Sequence, residues 1–89
     1  MNHRKLTHQT LEAINSELNY QDREWKEFNN RGHDLPSWIS IMRHYLDEAE
    51  KEWRKNSLYD TNYPTVTDNI RKVIATGISA LFQWKVRSR

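Results

Sequence analysis

The fold is decided by the stretch at Thr65–Lys85, TVTDNIRKVIATGISALFQWK. Its apolar residues recur every three or four positions, which is the spacing of one face of an α-helix. Thr65 and Asp68 fit a capping box, with a hydroxyl at the N-cap and an acid three residues later. Gly77 costs about 1 kcal/mol relative to Ala inside a helix, so a closely packed neighbouring helix is the expected compensation. The sequence therefore predicts a helix over 65–85.

The same apolar spacing extends towards the N-terminus in two further stretches. It predicts helices over about 7–30 and 36–56, and Pro36 suits the first turn of the second one because a proline needs no hydrogen-bond partner for an N–H there. Polar residues separate the three stretches, and the chain holds two Gly and two Pro, which leaves little room for hairpins. We therefore predict an all-α fold, a small antiparallel bundle of three main helices, as a single domain over 1–89.

Composition narrows the classes of protein that the chain can belong to. Hydrophobic residues make up 36% of 89 residues, so a monomer would have a thin core and a homo-oligomer is expected. There is no Cys, which excludes disulfides and thiolate metal sites. No apolar run approaches the ~18 residues of a membrane span, and a net charge of +2 is too small to favour a nucleic-acid partner. We predict a cytoplasmic protein without a membrane partner.

Three stretches together resemble a known family. Glu17–Trp25 has the pattern E-x-x-x-Q-D-x-x-W, Ser37–Met42 is an aromatic and aliphatic helix start, and Ile70–Leu81 is apolar and rich in small residues. In this order they resemble the MazG-like, all-α nucleoside triphosphate pyrophosphohydrolases, in a small phage and bacterial branch. The resemblance implies an all-α scaffold that handles nucleotides, and for a phage protein a place in the host cytoplasm during infection.

The chain departs from that family at its metal-binding acids. Active members hold Mg²⁺ with a Glu-Glu-x-x-Glu run and an E-x-x-D pair, because Mg²⁺ prefers carboxylate oxygens and activates a water for hydrolysis. The matching positions here are His44, Tyr45 and Glu48 on one helix, and Asp68 and Arg71 on the next. Glu48 and Asp68 are the remaining candidate metal ligands. We therefore expect no required cofactor, with Mg²⁺ as a possible cofactor if the chain is catalytic.

Cations and hydroxyls at the family's metal positions can instead hold phosphate, and aromatic rings nearby can stack on a base. The candidate ligand-binding residues are Gln21, Asp22, Trp25, Arg43, His44, Tyr45, Arg71 and Lys72. We expect a non-catalytic nucleotide-binding protein, with a nucleotide or cyclic nucleotide as ligand. By analogy, a phage could use it to sequester a nucleotide second messenger and so inhibit host defence.

Alternative interpretations stay open for these residues. Gln21 and Asp22 could be a buried polar pair that bridges helices, the tryptophans could be core anchors, and Arg71 and Lys72 could lie on a solvated helix surface. An Mg²⁺-dependent pyrophosphohydrolase using Asp22, Glu48 and Asp68 is one alternative function. A protein–protein interaction module that docks through a helix face is another.

Overall fold

The structure is a computed structural model, and it describes residues 5–24, 32–56 and 63–89. Three α-helices run through these ranges, which contain no strand: α1 at His8–Glu24, α2 at Leu35–Asn56 and α3 at Tyr63–Gln83. The predicted all-α class and three-helix bundle are confirmed. The end of the predicted first helix, which runs to residue 30, lies outside the described residues.

Helix α3 holds the bundle together. It packs along α2 and also against α1, whereas within the described helices no Cα atom of α1 comes within 8 Å of one in α2. Helices α2 and α3 run in opposite directions, since Trp38 near the start of α2 bonds to Gln83 at the end of α3. The bundle is therefore open between α1 and α2, and the positions of both depend on α3.

The first two helices begin at side chains that cap them. Thr7 Oγ1 accepts a hydrogen bond from the backbone N–H of Thr10 at 3.1 Å, and Asp34 Oδ1 accepts one from Ser37 N–H at 2.8 Å. Such caps satisfy N–H groups that have no partner inside the helix. Pro36 lies in the first turn of α2, as its missing N–H predicts. The predicted start of this helix is confirmed to within one residue.

The predicted start of α3 is wrong by two residues. The helix begins at Tyr63, so Thr65 lies inside the first turn and is not the N-cap. Pro64 explains the difference, because its fixed φ favours the helix and its missing N–H needs no partner at this position. Thr67 Oγ1 donates to the carbonyl of Pro64 at 3.0 Å, and Asp68 pairs with Arg71.

The end of α3 also comes earlier than predicted. The helix ends at Gln83, and Lys85 adopts a left-handed backbone with φ of 47°. The N–H of Val86 donates to the carbonyl of Leu81 at 3.3 Å, which is the six-to-one bond of a Schellman motif. Lys85 occupies the position of that motif where glycine is usual, so the residue terminates the helix and does not extend it.

The side chain of Gln83 ties the end of α3 to the start of α2. Its Oε1 accepts hydrogen bonds from Trp38 Nε1 at 3.0 Å and from His33 N–H at 3.1 Å, and its Nε2 donates to His33 O at 2.8 Å. Gly32 has φ of 67°, and a Cβ there would lie 2.7 Å from Gln83 Nε2. Glycine at this position therefore lets the backbone pass close to the amide that joins the helices.

The apolar core is small, as the composition predicts. Its buried apolar side chains, within the described ranges, are Ile14, Trp38, Ala49, Ala75 and Ala80. Trp38 is a core anchor, whereas Trp53 is half exposed. The small residues of α3 are the ones that neighbouring helices cover, and Met42 Sδ of α2 lies 3.4 Å from the place of a Cβ on Gly77.

No helix in the described part of the chain has the length and hydropathy required to cross a membrane.

Replacing Lys85 by glycine should stabilise the protein. A left-handed conformation costs a residue with a Cβ about 1–2 kcal/mol, and glycine adopts it without that penalty. We expect Lys85→Gly to raise the free energy of unfolding in urea by about 1 kcal/mol. Lys85→Ala keeps the Cβ and should leave it nearly unchanged; equal effects of the two substitutions would contradict this account of the helix end.

The cap at Asp34 should make stability depend on pH. The hydrogen bonds from Ser37 hold the pKa of Asp34 below its ordinary value of 3.8. A lowered pKa in the folded state means that the stabilisation is present above the unfolded pKa and is lost as the pH falls through the folded pKa. Asp34→Asn keeps an N-cap acceptor that does not titrate. We expect the thermal midpoints of wild type and Asp34→Asn to diverge as the pH falls below 3.8, and parallel curves would contradict the assignment.

Candidate functional site

A chain of polar side chains crosses the contact between α1 and α3, and we name it the polar seam. Arg71 Nε donates to Glu17 Oε1 at 2.9 Å and Arg71 Nη1 donates to Asp68 Oδ1 at 2.8 Å. Gln21 Nε2 donates to Glu17 Oε2 at 3.2 Å and to Thr76 Oγ1 at 3.4 Å. The seam therefore joins residues of two helices that are more than 50 positions apart in sequence.

Arg71 is engaged by two carboxylates. The side chain of Glu17 is 5% exposed and that of Arg71 is 33% exposed, so the ion pair is largely removed from water on the carboxylate side. The hydrogen bond to Glu17 raises the pKa of Arg71 above its ordinary value, with a further contribution from the charge of Asp68. The predicted role of Arg71 in phosphate binding stays a prediction, and the structure gives its guanidinium a role in holding α1 on α3.

Gln21 is buried at the centre of the seam, with 2% of the residue exposed. Its amide nitrogen reaches both Glu17 and Thr76, and Thr76 is fully buried. The Oε1 atom of Gln21 has no hydrogen-bond partner among the residues that the structure describes. This placement matches the alternative interpretation of Gln21 as a buried polar bridge, whereas Asp22 beside it is exposed.

Tyr45 and Lys72 are brought together across α2 and α3, as their assignment to one site required. Lys72 Nζ lies 5.6 Å from the centre of the Tyr45 ring, within the range of a cation–π contact. The rings of His44 and Tyr45 are 5.5 Å apart. Burial raises the pKa of Tyr45, and the nearby Glu17 carboxylate and Tyr20 add to this rise. A phosphate at this place would meet Glu17 as well as Lys72.

The remaining predicted site residues are dispersed. Arg43 is exposed on α2, Glu48 is half-buried on the same helix and Asp68 is held by Arg71. Trp25 lies outside the described residues. Over residues 5–24, 32–56 and 63–89, no group of three or more His, Cys, Asp or Glu side chains is placed to hold a metal ion. Glu48 and Asp68 as metal ligands therefore stay a prediction.

A cleft of about 900 Å³ opens beside the polar seam. Helix α1 contributes four side chains to it, of which Leu18 is apolar and Asn15, Asn19 and Asp22 are polar. The end of α3 contributes four more, namely Ile78, Ser79, Phe82 and Gln83. Gly32 and Trp38 complete its lining. The Gln83 hydrogen bonds described above thus form one end of the cleft.

The chemistry of the cleft combines amides with aromatic and aliphatic surface. Asn15 and Asn19 bring amides that both donate and accept hydrogen bonds, whereas the amide of Gln83 is already bonded to Trp38 and His33. Phe82 is 87% exposed at the edge of the cleft. Among the residues that the structure describes, the side chains that line the cleft include no Lys or Arg, and Asp22 is acidic. The cleft therefore suits a flat, mostly uncharged group better than a cluster of phosphates.

Sequence analysis identified Asp22 in this cleft but missed its other polar residues. Asn15, Asn19 and Asp22 are spaced by four and then three residues, so they share one face of α1. A helix face that carries amides where charges are usual is the signal that could have found them. Phe82 is one of the apolar residues in the stretch 65–85, whose spacing predicts a helix. Its exposure depends on how the helices pack.

The chain matches no protein-family model, no curated protein and no solved structure. The MazG-like resemblance therefore stays a prediction.

Removing Arg71 should destabilise the fold strongly. Arg71→Ala would leave the Glu17 carboxylate buried without its cation, and breaking such a pair costs about 3–5 kcal/mol. Asp68 is about half exposed, so Asp68→Asn should cost less than about 1 kcal/mol. Urea unfolding measures both values. A small loss for Arg71→Ala, equal to that for Asp68→Asn, would show that the seam does not hold α1.

Proposed function

We propose that the chain is a non-catalytic nucleotide-binding protein that acts as a homo-oligomer and takes a nucleobase into the cleft between α1 and α3. The observation that carries the proposal is the lining of that cleft, which pairs an exposed aromatic ring with several amide side chains. Bases are recognised by stacking on their faces and by hydrogen bonds to their edges. A volume of about 900 Å³ falls within the range of small-molecule sites.

Phe82 is the residue on which the base would stack. The residue is 87% exposed although it lines the cleft, so no described neighbour covers both faces of its ring. Trp38 also lines the cleft, but it is buried and its indole N–H is already bonded to Gln83. Asn15 and Asn19, one helical turn apart on α1, would then meet the edge of the base.

The charges around the cleft favour a ligand with few phosphate charges. Arg23 lines an adjoining recess that shares Asn15, Asn19 and Asp22 with the cleft, and Glu12 lines the same recess. Among the described side chains here, one cation beside two carboxylates offers little net attraction to a triphosphate. A cyclic nucleotide carries a single charge on each phosphate, so this class fits better. Sequestration of such a second messenger by a phage protein is the biological role that we propose.

The test is calorimetry with nucleosides, nucleoside triphosphates, cyclic mononucleotides and cyclic dinucleotides, with and without Mg²⁺. We expect at least one cyclic nucleotide to bind without Mg²⁺. Loss of base stacking in Phe82→Ala should weaken binding by about 5- to 150-fold, since stacking on an aromatic ring contributes ~1–3 kcal/mol per base. Tyr20→Ala removes a half-exposed ring that does not line the cleft, and it should bind as wild type does.

Two results would contradict the proposal. One is the absence of binding across the whole panel, and the other is binding that Phe82→Ala leaves unchanged. Release of pyrophosphate with Mg²⁺, abolished by Glu48→Gln, would instead support the hydrolase alternative.

A further inference from the structure

Helices α2 and α3 each carry a row of large apolar side chains that stay about half exposed, and we name the two rows together the apolar face. Each of its members is between 41% and 55% exposed. They are Ile39, Leu46 and Trp53 of α2 and Ile70, Ile74 and Leu81 of α3. On α3 this face points away from the contact with α1, because Ile74 leaves the helix roughly 160° from Thr76, which bonds to Gln21.

The two rows lie side by side on one surface. Met42 of α2 follows Ile39 by three residues and precedes Leu46 by four, and its Sδ lies 3.4 Å from the place of a Cβ on Gly77. Gly77 follows Ile74 by three residues and precedes Leu81 by four. The contact between Met42 and Gly77 therefore lies beside both rows, and the two rows belong to one surface of the α2–α3 pair. Apolar spacing that alternates between three and four residues is the pattern by which helices pack in four-helix bundles.

The chain exposes more surface than a compact monomer of its size. Its accessible surface is 7768 Å² for a mass of 10.8 kDa. Folded monomers of this mass expose about 5,500 Å², so the excess is about 2,200 Å². Each partner in a standard protein–protein interface buries about 800 Å². This total counts the whole chain, and among the described residues the six half-exposed side chains of the apolar face contribute apolar area to it on one surface.

We propose that the apolar face packs against the same face of a second copy, so that two α2–α3 hairpins form a four-helix bundle about a two-fold axis. This inference rests on the homo-oligomer of the proposed function and names the surface that forms it. None of the six named side chains carries a charge, and exposed Arg43 and Glu50, one turn before and one turn after Leu46, border the row on α2. Glu50 forms an exposed ion pair with Arg54, 3.2 Å long, which supplies polar groups at the edge of the face.

A second copy explains the small core better than an unrelated partner does. The buried apolar residues of one chain include three alanines and two larger side chains within the described ranges. Joining two apolar faces would bury twelve further large side chains in each dimer, six from each chain. Such burial contributes to folding itself. The same surface would therefore stabilise each chain and form the dimer interface.

The test measures the mass of the full chain by sedimentation equilibrium. Wild type should have twice the monomer mass of 10.8 kDa. Leu46→Lys and Ile74→Lys each place a charge within the face, and each should raise the dimer dissociation constant at least about tenfold. Asp47→Lys is the matched control, since the neighbouring side chain leaves α2 about 100° away from Leu46. It should keep the wild-type mass.

Either of two results would overturn the proposal: a wild-type monomer at all concentrations, or a dimer that both lysine variants preserve. If the lysine variants fail to fold, the thermal midpoint decides. It should rise with protein concentration in wild type and less steeply in Leu46→Ala and Ile74→Ala, and a midpoint independent of concentration would also overturn the proposal. The nucleotide panel repeated on Leu46→Lys separates this inference from the cleft, because a monomer that still binds would leave the ligand site intact.

Discussion

The hydrogen-bonded ion pair between Glu17 and Arg71 is the interaction on which the arrangement of the described helices depends. Helix α1 packs against α3 and not against α2, so its position is set by this contact and by the neighbouring bond from Gln21 to Thr76. A carboxylate that is 5% exposed needs its cation, because an unpaired charge in such a place is strongly unfavourable. The pair therefore specifies where α1 lies along α3.

The cleft is a consequence of the open bundle, whereas the apolar face lies on the side of α3 that is turned away from α1. Because α1 and α2 do not meet within the described helices, the surface between them stays open. On the side of α1, helix α3 ends at Phe82 and Gln83 and forms the cleft. On the side away from α1, α2 and α3 carry the half-exposed apolar residues. A closed three-helix bundle would have narrowed the cleft and left the apolar face exposed.

The buried polar groups also change which residues are available for a ligand. Arg71 was assigned to phosphate because a cation replaces a family acid at that position. In the folded chain the guanidinium contacts Glu17 and Asp68, so its charge is already balanced locally. Recognition of a base by amides and by Phe82 does not need that charge. Phosphate binding by the cations of α2 and α3 stays a prediction, and the proposed site takes its contacts from the uncharged part of a nucleotide.

The sequence by itself determined the all-α class, the number of main helices and most of their bounds, because apolar spacing and capping residues act within one or two turns. It placed the start of α2 to within one residue, and the competing roles of Pro64 and Thr65 account for its error at α3. Tertiary structure alone decided that Glu17 pairs with Arg71, that Gln21 is buried and that Asn15, Asn19 and Phe82 share a cleft. These contacts join residues more than 50 positions apart. Local spacing shows which face of a helix a residue occupies, and it cannot show which other helix covers that face.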